Sequence, residues 1–189
     1  MLAKELRRPV KVLRHRPSVL PILSAYRYGK TEAEAKSVAR LPRTGSNNSL
    51  PSSLARFGYY YLDYLLGQWY IHLRYVMRGY AVVYDRYYYD FMADGRRSNL
   101  ELPPWITAMG FWFIKKPAFN FFLFAQPKTI LARKQELDAD TIVTLTRKYR
   151  TLFDQQAGRA PGGTFLSIEN KDINKTLSVI RNTILQKTS

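Results

Sequence analysis

Residues 77–91 read MRGYAVVYDRYYYDF, and how this stretch is parsed decides the organisation of the whole chain. Gly79 follows the basic Arg78 and ends a helix, because only glycine takes the left-handed conformation there without strain. YAVVY then runs without a polar residue, as strands do when a sheet is covered on both faces and built in parallel. The strand delivers Asp85 and Arg86 at its carboxyl end, where open parallel sheets place their ligands.

Upstream, Leu54–Arg78 has helical length. Its apolar residues Tyr60, Tyr61, Tyr64, Leu65, Trp69, Leu73, Val76 and Met77 recur mostly three and four apart, which predicts a core-facing helix capped by Ser52 or Ser53. Before it, LAKELRR (2–8) reads as the end of a helix stopped by Pro9, VKVLRH (10–15) as a short strand, and RPSVLP (16–21) as a loop. Residues 24–53 are polar, rich in Ser, Asn, Pro and Gly towards their end, and read as an exposed insertion. Downstream, AFNFFLFA (118–125) is a second buried strand, about Lys128 to Gln155 a long polar helix, GTFLSIEN a last strand, and DINKTLSVIRNTILQ a capped terminal helix. Strands alternating with helices predict an α/β domain spanning residues 1–189, with four parallel strands.

Composition narrows the chemistry. There is no cysteine and only two histidines, His15 and His72, which excludes a disulfide framework and disfavours a thiolate or imidazole metal centre. Lack of cysteine suits a reducing, cytoplasmic location. Lys and Arg outnumber Asp and Glu by 30 to 14, for a net charge of +16, so an anionic partner is expected: nucleotide phosphates, nucleic acid or an acidic membrane surface. No apolar run approaches the ~20 residues of a membrane span. An Arg-rich, acid-poor start raises a mitochondrial presequence, but Pro9, Pro17 and Pro21 interrupt any amphipathic helix there.

The order of these pieces resembles the thymidylate kinase family of P-loop nucleoside monophosphate kinases. In that family a helix ends at a Gly and the next strand runs into an Asp-Arg pair, as in MRGYAVVYDR. RHRP (14–17) resembles its Arg-containing loop, PKTILARKQELDADTIVTLTRKYRTLF (127–153) its lid helices, and SIENKDINKTLSVIRNTI its last strand, adenine-side loop and closing helix. The resemblance covers roughly residues 2–186. It implies a P-loop kinase-like fold, Mg²⁺ and ATP as cofactors, a nucleotide acceptor and a homodimer. It also implies residue roles. Arg86 and Arg16 bind the acceptor monophosphate with Asp90 beside them. Asp85 acts near the acceptor hydroxyls or, through water, on Mg²⁺. Arg133 and Lys134 neutralise charge on the moving phosphoryl group. Such transfers rest on positioning and electrostatic clamping.

Two departures accompany the resemblance. The family's acceptor-side helix carries an Arg where this chain has LDYLL with Asp63, which leaves the acceptor open. The family's Walker A loop, G-x-x-x-x-G-K-[ST], precedes the Arg loop. Here the only GKT, Gly29–Thr31, follows it, and Ser24 stands where the first glycine should. GKT is therefore expected to be a chance tripeptide. The true loop and central first strand are expected upstream of Met1, leaving the chain's own activity impaired or absent and apolar strand edges bare unless the flanking strands close up. The alternative is a noncatalytic basic protein that binds nucleic acid or an acidic membrane.

Overall fold

The computed structural model describes residues 8–14, 16–21, 23, 47–133, 136–159 and 164–188. The expectations for residues 2–7, His15, Ser24, the GKT tripeptide, Lys134 and most of the 24–53 insertion lie outside them. The chain divides into two compact units between Lys115 and Lys116. The described residues are mixed α/β, with four strands and six α-helices.

In the first unit, β1 (Val10–Leu13) and β2 (Ala81–Tyr84) pair in parallel, Val10 opposite Ala81 and Leu13 opposite Tyr84. The connection contains α1 (Leu50–Arg74), which starts four residues earlier than its periodicity predicts. Pro51 explains the difference, since proline is tolerated in the first turn, where the amide has no helical partner. Ser53 is not a cap. It is fully buried, and its hydroxyl accepts hydrogen bonds from the Asn47 side chain (3.1 Å) and the Glu101 amide (3.0 Å). A 3-10 turn over Val76–Arg78 then ends at Gly79, whose φ of 82° is the left-handed stop expected there.

After β2 come α2 (Tyr89–Ala93) and α3 (Pro104–Phe111), which sequence periodicity does not predict because both are short. They close an aromatic core on α1. Tyr88 is wholly enclosed: its ring stacks on Phe111 at 5.6 Å and meets Tyr64 (5.5 Å) and Phe91 (5.3 Å) edge-on. Its hydroxyl donates to the Thr107 carbonyl at 2.9 Å. The expectation that the apolar residues of 54–78 are core holds for Tyr64 but not for Trp69 and Leu73 of α1, nor for Val76 and Met77 of the 3-10 turn, which are exposed.

In the second unit, β3 (Phe119–Phe124) and β4 (Thr164–Glu169) pair in parallel, Phe119 opposite Thr164 and Phe124 opposite Glu169. The polar helix expected over 128–155 is two helices, α4 (Pro127–Arg133) and α5 (Ala139–Arg159). Asp138 starts the second: its carboxylate accepts from the Thr141 amide (2.8 Å) and hydroxyl (2.7 Å), and these bonds lower its pKa. α5 lays Tyr149 and Phe153 on Phe122, with Ile142 and Leu152 also buried. α6 (Ile173–Thr188) is capped as expected, with the Asp172 carboxylate accepting from the Lys175 amide at 2.8 Å.

All four strands are thus parallel-paired, but among the described residues they form two sheets of two strands, β1–β2 and β3–β4. Among the described residues β2 and β3 are not paired with each other.

Candidate functional site

Parallel pairing brings the carboxyl ends of β1 and β2 to one end of their sheet, and the Asp85 amide donates to the Leu13 carbonyl at 2.9 Å. The loop after β1 and the Asp-Arg pair after β2 therefore leave side by side. Each is then held differently.

The loop after β1 lies against α1 through a buried carboxylate. Asp63, with no solvent exposure, accepts from Arg16 Nη1 (3.0 Å) and the Ser18 amide (3.1 Å) on one oxygen, and from the Leu20 amide (2.6 Å) on the other. Arg16 is itself buried and packs its guanidinium over the Tyr60 ring at 5.0 Å. One turn along the helix, Gly67 makes room for the loop: a Cβ there would stand 2.1 Å from Pro17 Cβ. The Tyr59 hydroxyl donates to the Pro21 carbonyl at 2.6 Å. Gly67→Ala is expected to force the loop away and to cost about 1–3 kcal/mol, as overpacking does. Thermal unfolding of that variant measures it.

The residues after β2 are more open. Asp85 is exposed, and its carboxylate has no hydrogen-bond partner among the described residues. Arg86 is half-buried and its Nη1 donates to Asp90 at 3.2 Å, one helical turn on. Both ion pairs border the same aromatic cluster. Burial pushes the Tyr64 hydroxyl well above the ordinary tyrosine range, and the charges of Asp90 and Asp63 add to the effect. Tyr84 is pushed up to about 12 by burial, with Asp63 contributing. A row of Arg16–Asp63, tyrosines, and Asp90–Arg86 thus forms on the first unit.

Of the residues singled out in the sequence, Arg16, Asp85, Arg86 and Asp90 belong to this end of the β1–β2 sheet. Arg133 ends α4 in the second unit, where it is exposed. The second unit has its own cleft of about 200 Å³ at the carboxyl ends of β3 and β4, lined by Ala125, Gln126, Thr129, Glu169, Asn170 and Lys171. No family model and no curated protein matches the chain.

Asp63 anchors the loop after β1, a partnership that the sequence does not announce. It gives only a hint: a lone acid on an apolar, aromatic helix face needs a buried cation or several amide donors. What the sequence could not name was which cation, since Arg16 lies 47 residues away. Among the described residues no group of three or more His, Asp or Glu could hold a metal ion directly.

Proposed function

We propose that this chain carries the acceptor and base-binding parts of a thymidylate-kinase-like nucleotide kinase, which moves a phosphoryl group from ATP to a nucleoside monophosphate. The observation that carries the reading is the strand pairing. β1 pairs with β2 and β3 with β4, and these are the two pairs that flank the central first strand in the resembled fold; no further strand pairs with them among the described residues.

The side chains support the same assignment. Arg86 is held by Asp90 yet half-exposed, so it can meet a phosphate without losing its orientation. Arg16 Nη2 is buried and has no hydrogen-bond partner among the described residues, while Asp63 occupies Nη1, so an acceptor phosphate would reach this donor only if the loop after β1 shifted. Asp85 would hold Mg²⁺ through water, and the bound ion would supply neutralising charge to the phosphates. Arg133 and Lys134 would approach the transferred group, and the cleft at Asn170 would take the base of the donor. The 189 residues contain no G-x-x-x-x-G-K-[ST], so binding of the ATP phosphates by this chain alone is expected to be severely weakened.

The test is a thermal-shift panel of nucleoside monophosphates, ATP and mixed oligonucleotides. A monophosphate at about 100 times its Kd is expected to add roughly 2.7 kcal/mol of stability, and Arg86→Ala to abolish that gain. The Arg86–Asp90 pair is part-exposed and contributes little to folding, so the variant remains folded. Salt-dependent oligonucleotide binding without any response to monophosphates would overturn the kinase reading in favour of a nucleic-acid-binding protein.

A further inference from the structure

The end of the β1–β2 sheet opposite Asp85 and Arg86 carries a second cluster of charge, which the kinase reading does not use. It is built on Tyr75, the residue that caps the carboxyl end of α1. Lys11 Nζ, from β1, lies over the Tyr75 ring at 5.5 Å, and the Arg74 guanidinium carbon lies 5.6 Å from the centre of the same ring. Tyr70 meets that ring edge-on at 6.4 Å, and Tyr80 does so at 5.7 Å. The backbone holds these pieces together. The Arg78 and Tyr80 amides both donate to the Tyr75 carbonyl, at 3.1 Å each. The Ala81 amide donates to the Pro9 carbonyl at 2.8 Å, which brings Arg8 to the same end of the sheet.

The charge here is uncompensated. Residues 8–14 and 64–84, the two segments that build the cluster, contain no Asp or Glu. Among the described residues none of Arg8, Lys11, Arg74 and Arg78 is held in an ion pair, and the three arginines are exposed. Four like charges gathered on a protein already at +16 repel one another unless an anion joins them. The cations already lie against the Tyr75 ring, whereas Tyr70 is 49% exposed and offers a ring to a ligand. A single nucleic-acid strand supplies both things the cluster lacks, phosphates for the cations and an unstacked base for the ring. A duplex keeps its bases in its own stack, and a lipid phosphate carries no planar base.

We propose that this cluster binds single-stranded nucleic acid, with Arg8, Lys11, Arg74 and Arg78 on the phosphates and Tyr70 stacked on a base. This does not depend on the kinase reading. Monophosphate stabilisation is read through Arg86→Ala and strand binding through Tyr70 and Arg74, so either can fail alone.

The experiment is fluorescence anisotropy of a labelled single DNA strand of about 12 nucleotides, with its duplex for comparison. Four phosphate contacts predict a slope of about −3 for log K against log salt. Tyr70→Leu is expected to weaken the single strand about tenfold and to leave the duplex unmoved, while Tyr70→Phe, which keeps the ring, binds like the unaltered chain. Arg74→Ala with Arg78→Ala is expected to halve the salt slope. Arg147→Ala with Lys148→Ala, an equal loss of charge at exposed positions of α5, is expected to leave it unchanged. All these positions lie outside the core, so circular dichroism should be unaltered. Absence of binding at low salt overturns the proposal. Equal loss in the two double variants assigns binding to diffuse charge and also overturns it, as does a Tyr70→Leu variant that binds the single strand undiminished. Flotation with anionic vesicles, without strand binding, would give the cluster to lipid and overturn it too.

Discussion

Asp63→Ala is expected to destabilise the first unit by about 3–5 kcal/mol, the cost of removing one partner of a buried ion pair. Three donors converge on this carboxylate, and none can turn to water without the loop leaving α1. Arg16 would be left as a buried cation whose second nitrogen already has no partner among the described residues. The Ser18 and Leu20 amides would lose their acceptors as well. For a unit of this size the midpoint of thermal unfolding should fall by at least about 12 °C. The double variant Asp63→Ala/Arg16→Met, which removes both charges, is expected to recover most of that loss, because replacing a buried pair by apolar groups is often close to neutral. If Asp63→Ala melts like the unaltered chain, Asp63 does not anchor the loop.

Raising the pH is expected to unfold the first unit through its tyrosines. Burial raises the pKa values of Tyr64, Tyr88 and Tyr89, and their side chains are nearly or fully enclosed. Tyr88 also donates a hydrogen bond to Thr107 that a phenolate could not make. A raised value means that the folded state holds the proton more tightly than the unfolded state. Stability from these groups is therefore fully present below the ordinary tyrosine value near 10 and is lost as pH rises through and beyond it. Each contributes a slope of about 1.4 kcal/mol per pH unit above that point, so the three together remove roughly 4 kcal/mol per unit. Against a typical stability of about 5–15 kcal/mol, unfolding within a few pH units is expected. Tyrosinate absorbance should rise in two stages, exposed tyrosines first and buried ones only as the dichroism collapses. Ionisation of all 14 tyrosines near pH 10 with the fold intact would rule this out.

The strands were legible because their signals are local. AVVY is an unbroken apolar run and FNFFLF is apolar but for Asn120, and strands appear at both. Gly79, Asp138 and Asp172 act within one turn of their own position, where chain geometry alone decides what they do. Less was visible where a short element is held by distant packing. α2 and α3 form against Phe57, Tyr61 and Tyr64 of a helix far earlier in the chain, and neither has the length to announce itself. The candidate site divides the same way. Asp85 and Arg86 could be placed because they follow a recognisable strand, and Arg16 because it follows another.

By itself, the sequence determined that this chain is α/β and that its four described strands are parallel-paired. Only the tertiary structure decided that the strands form two pairs rather than one sheet. It also decided that Asp63 neutralises Arg16, and that one side of α1 stays bare while the other packs on Tyr88. Periodicity and turn chemistry act over a few residues. Pairing and burial depend on which surfaces meet across tens of residues, and an apolar stripe looks the same in sequence whether a core covers it or not.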